Sequence, residues 1–274
     1  MPRRSPVHSA GGVELVRKLA GEGVRIFTLA RAREFAPAVG LSEGYLRQAL
    51  HHLAKSGWVV RLHKGLYALS SAIPGVSPVH EFEIAMALVD PAAISHWSAL
   101  HYHELTEQTP RKVFVLTTTG TAIPRVRGKK AAEDGYPVGD TLYRFVQIKS
   151  ERFFGTQKTW VGEARVTVTD PERTLIDGLS TPQYCGDFGE VLRAFEVLGG
   201  DLDLEGIIDY GLRMDAATAK RLGWVLEHHG APASRLEPLA ALPIKGYRKL
   251  DATGPRGGPY NRRWMIQQNL PGML

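Results

Sequence analysis

One cysteine, Cys185, is all that the 274-residue sequence holds. A lone thiol closes no internal disulfide and builds no cysteine zinc site, so the expectation is a reduced compartment, the cytoplasm. Long apolar runs are missing too. The longest stretch without Asp, Glu, Lys or Arg runs from Gly65 to His80, and prolines and serines interrupt it. A membrane span takes about 20 mostly apolar residues, so no membrane partner is expected. The opening Met1-Pro2-Arg3-Arg4 leads into no apolar core of a signal peptide. Internal repeats, low-complexity tracts, a phosphate loop ending in Gly-Lys-Ser/Thr and the His-Glu-x-x-His of a zincin are all absent.

Acidic residues are scarce where the chain starts. Residues 1–70 hold 11 Lys/Arg against 4 acids, all Glu; residues 71–244 hold 17 against 23, and residues 245–274 hold 6 against 1. The net charge of +6 therefore hides two basic ends around an acidic middle. Such an asymmetry points to a polyanion partner at the N-terminus.

Periodicity and punctuation divide the chain. A short amphipathic helix is expected over Val13–Leu19 and a second over 28–39, capped by Thr28 and ended by Gly40. Ser42 is a suitable N-cap for a third helix, running to Ser56 with Gly57 at its C′ position. The β-prone runs Trp58–Leu62 and Leu66–Leu69 are joined by His63-Lys64-Gly65, a three-residue hairpin loop with Gly65 in the left-handed region. A Ser/Gly/Pro-rich linker, 70–78, separates an N-terminal domain, 1–72, from a second, 79–274. There helices are expected at Glu81–Leu88, Ser95–Leu105, Asp187–Leu198, Glu205–Leu212 and Ala216–His228. Strands are expected at Lys112–Thr118, Thr141–Ile148 and Arg165–Thr169, with Asp170 capping a helix that starts at Pro171 and a further strand at Arg262–Gln267. No regular βαβ alternation is present, so the fold class is α+β: a winged helix-turn-helix followed by a mixed α+β domain.

The third helix carries the chemistry. At about 100° per residue, Leu46, Ala49, Leu50 and Leu53 share one side. The other carries Gly44, Gln48, His51 and Lys55, flanked by Tyr45, Arg47 and His52, with no acid among them. Arg pairs bidentately with guanine and Gln with adenine in the major groove. The candidate DNA-binding residues are therefore Ser42, Tyr45, Arg47, Gln48, His51 and Lys55 on the helix, and Arg61, His63 and Lys64 on the wing. Arg47 and Gln48 would carry specificity and the wing would meet phosphates.

Phe27-Thr28, Gly40-Leu41-Ser42, Leu50–Leu53, Gly57-Trp58 and Arg61–Tyr67 together resemble the N-terminal domain of the AbiEi-family antitoxins of type IV abortive-infection systems. Ile94–Leu100 with Leu105-Thr106, Val166–Asp177, Arg221–Leu226 and Tyr260–Trp264 extend the resemblance over nearly the whole chain. The resemblance implies an N-terminal domain that binds and represses the promoter of its own operon. It also implies a C-terminal domain that counteracts a nucleotidyltransferase-like toxin, without requiring a stable complex.

Other readings of the second domain compete. Gly199-Gly200-Asp201-Leu202-Asp203 has the letters of a nucleotidyltransferase without its spacer. His96, His101, His103 and Glu104 lack zinc-site spacing. Asp170–Asp177 reads as a cap, a Pro start and an Arg173–Asp177 pair at i,i+4. No catalytic residue, metal or cofactor is expected. Lys245, Arg248, Lys249, Arg262 and Arg263, near Tyr247, Tyr260 and Trp264, form a candidate second patch for nucleic acid or a partner. The alternative function is a stand-alone winged-helix regulator whose C-terminal domain senses a ligand.

Overall fold

The structure, a computed structural model, describes residues 7–126 and 135–270; Met1–Arg4 lie outside them. Two compact units emerge. The first takes residues 1–90, 122–142 and 161–164, and the second takes 91–121, 143–160 and 165–274.

The first unit starts with α1 (Val7–Gly21), longer than its sequence pattern announces. Leu15, Val16 and Leu19 form its buried stripe, whereas Val13 is only half-buried. A short strand, β1 (Ile26–Thr28), follows; three residues are too few to show a period. The helix expected over 28–39 is split. Thr28 caps α2 (Leu29–Phe35), its hydroxyl accepting the Arg31 amide at 3.1 Å. Pro37 then breaks the ladder into a 3-10 turn, Ala36–Val39, which Gly40 ends at φ 69°. Helix α3 (Glu43–Lys55) buries Leu46, Ala49, Leu50 and Leu53, the stripe read from the wheel.

Strands β2 (Val59–His63) and β3 (Leu66–Leu69) pair antiparallel, and β1 pairs on the far side of β3. His63 is inside β2, opposite Leu66, so the connection is Lys64-Gly65, two residues rather than three. A register shift between Arg61 and His63 takes up the difference, and Gly65 sits at φ 79°. Leu15, Val16, Leu19, Phe27, Phe35, Leu46, Leu50, Leu53 and Val59 close one core. Helix α4 (Glu81–Leu88) also belongs to this unit.

In the second unit β4 (Ala93–Ile94) pairs antiparallel with β5 (Lys112–Thr118) and parallel with the last strand before the helices. A strand in the first unit, β6 (Tyr136–Val138), precedes β7 (Thr141–Ile148), β8 (Thr156–Val161) and β9 (Ala164–Thr169). The order across the second unit's sheet is β7-β5-β4-β9-β8. Helices α5 (His96–Tyr102), α6 (Pro171–Ser180), α7 (Phe188–Leu198), α8 (Leu204–Leu212), α9 (Ala216–His228) and α10 (Ala233–Ala241) complete the layer. Helix α6 is central and packs on α5, α7, α8 and α9.

The last residues are not one strand over 262–267. Short strands β10 (Arg248–Lys249), β11 (Tyr260–Asn261) and β12 (Ile266–Gln267) form a separate sheet in the order β10-β12-β11, with a turn over 262–265. Trp264 is fully buried against α9, where a Cβ on Gly223 would stand 2.0 Å from its ring. The Trp264 indole donates to Glu227 at 2.7 Å.

Candidate nucleic-acid interface

Helix α3 and the β2–β3 hairpin are neighbouring parts of one core. The Trp58 amide donates to the Leu53 carbonyl at 3.0 Å, tying the hairpin to the last turn of α3. Two further bonds position the hairpin. The Leu29 amide donates to the Gly65 carbonyl at 2.8 Å, and the Tyr136 hydroxyl donates to the Leu62 carbonyl at 2.7 Å. The Tyr136 ring meets His63 edge-on at 6.2 Å. Burial pushes the Tyr136 hydroxyl above its ordinary range against the pull of Arg61, so it remains a donor.

Arg47, Gln48, His51 and Lys55 are exposed on α3, and Arg61, His63 and Lys64 are exposed on the hairpin. Tyr45 is half-buried against the core. Ser42 is exposed at the N-cap in extended backbone, but its side chain makes no capping bond; its carbonyl accepts the Tyr45 and Leu46 amides at 3.1 Å each. Glu43 in the first turn provides the favourable negative charge there.

Ion pairing sorts the cations of this segment. Arg17 pairs with Glu14, Arg31 with Glu34 and Arg33 with Glu43, while Arg25 is held between Glu83 at 2.9 Å and Glu163 at 3.2 Å. Among the described residues, Arg47, Lys55, Arg61 and Lys64 have no acidic partner within 4.0 Å, and Lys18 on α1 shares that condition. The uncompensated charge of residues 7–70 is thus concentrated on α3 and the hairpin. Sequence reasoning missed β1, Arg25 and Tyr136. The partners of Arg25 and Tyr136 lie dozens of residues away, and no local pattern announces them.

Gly40-Leu41-Ser42-Glu43-Gly44 spells the Gly-x-Ser-x-Gly of a hydrolase elbow. That elbow needs a strand before the serine. Here a 3-10 turn precedes it.

Two of the ligand-like histidines of the second unit, His96 and His103, are hydrogen-bonded within it. His96 is buried at φ 51°, with Nδ1 2.8 Å from the Ser95 hydroxyl and Nε2 3.0 Å from that of Thr181. His103 Nε2 donates to the Thr169 carbonyl at 2.7 Å. Burial lowers the pKa of both. His101 is exposed. Among the described residues no group of His, Cys, Asp and Glu could hold a metal ion.

Asp170 caps α6 as its sequence predicts, accepting the Arg173 amide at 2.7 Å. Its other oxygen accepts the Tyr210 hydroxyl at 2.8 Å, and burial together with that bond pushes Tyr210 up to about 12. Arg173 is fully buried, donating to Asp177 at 2.9 Å and to the Arg152 and Phe154 carbonyls. In the basic tail Arg248 and Lys249 line a cavity. Lys245 and Arg262 are exposed away from it, and Arg263 is bound to Glu227 at 2.8 Å and to the Ala233 carbonyl.

Residues 14–70 match a protein family described as a transcriptional regulator, AbiEi antitoxin. Over this segment the chain is similar to the AbiEi family. The match supports a transcriptional regulator and antitoxin of an abortive-infection system. The AbiEi segment runs from α1 to the end of the hairpin and contains every candidate residue from Ser42 to Lys64. Over 97% of this chain and 92% of the other, the fold is similar to the crystal structure of the RV2827C protein from Mycobacterium tuberculosis, with a TM-score of 0.70 and 15% identity. At that identity the likeness concerns the fold alone. No curated protein matches the chain. No helix among the described residues is long and apolar enough to cross a membrane.

Proposed function

We propose that this protein is a DNA-binding autorepressor and the antitoxin of a type IV toxin–antitoxin system. In this reading residues 1–72 form a winged helix that binds the double-stranded promoter DNA of its own operon. Residues 79–274 counteract a nucleotidyltransferase-like toxin, without catalysis. Tyr45, Arg47, Gln48 and His51 enter the major groove; Ser42, Lys55, Arg61, His63 and Lys64 meet phosphates.

The observation that carries the DNA reading is the set of cations without acidic partners on α3 and the hairpin, beside Arg17, Arg25, Arg31 and Arg33, which are all paired. Phosphate contacts from such residues release counterions and make affinity fall with salt. The toxin half rests on the family description.

The test is binding to the DNA immediately upstream of the gene, against a scrambled duplex, at two salt concentrations. A preference for the native DNA, with affinity falling as salt rises, is expected. Equal, weak, salt-sensitive binding to both would remove the operator reading. Co-expression with a neighbouring nucleotidyltransferase-like gene tests the other half: growth should be rescued by the full chain and not by residues 1–72 alone.

A further inference from the structure

Beside the C-terminal sheet lies an open cavity of about 640 Å³, within the usual size of small-ligand sites. Arg221 reaches it from α9, Arg248 and Lys249 from β10, Arg256 from the following loop, and Tyr260 from β11, beside Tyr247. None of the four arginine and lysine residues has an acidic partner within 4.0 Å among the described residues; Asp215 and Asp251 act on Arg221 from farther away. Arg221 is more than nine-tenths buried. Its Nε donates to the Lys249 carbonyl at 3.0 Å, and its two terminal nitrogens have no protein partner among the described residues. A largely buried guanidinium on a cavity wall, with two nitrogens free of protein partners, offers donors to an anion.

The walls are prebuilt. Lys249 Nζ donates to the Gly254 carbonyl at 2.6 Å. Asn269 holds the Asp251 and Pro255 carbonyls at 3.0 and 2.7 Å, which fixes the loop carrying Arg256. Gly258 has φ 75°, and a Cβ there would stand 1.9 Å from the Gln268 carbonyl oxygen, so the loop closes only with glycine. Tyr247 and Tyr260 lie with centroids 4.6 Å apart, yet both rings are exposed, Tyr260 at 59%. Gln267 reaches the same wall, its side-chain amide 3.4 Å from the Tyr260 hydroxyl.

We propose that this cavity binds a phosphorylated nucleotide, with the phosphates on Arg221, Arg248 and Arg256, the base on the exposed tyrosine faces, and Gln267 at the base edge. Cations supply the affinity for phosphate, and an aromatic platform accepts any base. The nucleotide is either free or the 5′-phosphorylated end of a single strand, since both present the same group. The site is independent of the promoter-binding reading.

The experiment uses the full chain. ATP and GTP are titrated by calorimetry, and a short 5′-phosphorylated single-stranded RNA by fluorescence anisotropy. Saturable binding of a free nucleotide assigns the free form; binding of the RNA alone assigns the strand end. Arg256→Glu and Tyr260→Ala, both at exposed positions, should each weaken binding by about tenfold or more. Lys158→Ala, at an exposed position of β8 outside the cavity lining, should leave it unchanged. Absence of saturation by all three ligands overturns the proposal. So does loss with Arg256→Glu but not with Tyr260→Ala, when inorganic pyrophosphate binds as well as ATP, because that describes an anion site with no nucleotide in it.

Discussion

Arginine does opposite work in the two units. On α3 and the hairpin of the first, Arg47 and Arg61 are exposed and have no acidic partner among the described residues. In the second, Arg173 is buried and bound on three sides, to Asp177 and to two carbonyls, with its face over the Phe154 ring at 4.4 Å. Lys220 is likewise buried, its ammonium on the Leu239 and Ala240 carbonyls at the end of α10. A count of positive residues treats these as equal. Only the first kind generates a field that a polyanion feels; the second kind organises a core, because a buried charge persists only when its partners are in place.

The largest effect should come from breaking the buried case. Arg173→Met leaves the Asp177 carboxylate buried and unpaired, and the second unit should lose about 3–5 kcal/mol in denaturant unfolding. Asp177→Leu added to Arg173→Met should restore much of that loss, since removing both charges removes the desolvation problem. If the double variant is no more stable than the single one, the pair is not what holds α6.

Substitutions in the exposed set should leave stability nearly untouched and change binding instead. Arg47→Ala is expected to relax preference at one base pair by about 1–3 kcal/mol. Lys64→Ala should weaken all duplexes alike and reduce the salt slope by about 1. A variant lacking Arg47 that keeps its full base preference would place α3 outside the major groove.

Acid separates the units further. The folded-state pKa values of His96 and His103 lie below the ordinary 6.5 because burial disfavours their charged forms. The unfolded chain therefore binds these protons more readily. Their contribution to stability is complete above pH 6.5 and is lost as pH falls toward the lowered values. Denaturant midpoints of the second unit should fall with acidification through that window. His96→Asn, which tolerates the left-handed backbone, should flatten the dependence; an unchanged slope in His96→Asn and His103→Asn together would remove the explanation.

The smallest contrast is between two caps. Thr28→Ala removes a hydrogen bond and should cost about 1 kcal/mol, whereas Ser42→Ala removes none and should change thermal stability by only a few tenths.

Much of this architecture was legible because the local signals are strong. Lys112–Thr118, Thr141–Ile148, Glu81–Leu88 and Ala216–His228 have the bounds that their periods announce. The apolar stripe of α3 and the cap at Asp170 follow from spacing alone. What was illegible depends on distant partners. Strands β4 and β8 are short or exposed and show no clean alternation. Helix α10 contains Pro238, which interrupts its helical pattern. Among the basic tail residues, only the fold distinguishes Arg263, held by Glu227, from Arg248 on the cavity wall.

The burial of Trp264 on Gly223 bears on how the chain is made. Synthesis runs from the N-terminus, and the core around α3 is complete once residue 76 has emerged. The face of α9 at Gly223 stays open until Trp264, ten residues from the end of the sequence, is in place. A product that stops before Trp264 carries a finished helix-turn-helix core and an unsealed C-terminal one. Cellular proteolysis would then meet the two halves of one polypeptide as very different substrates.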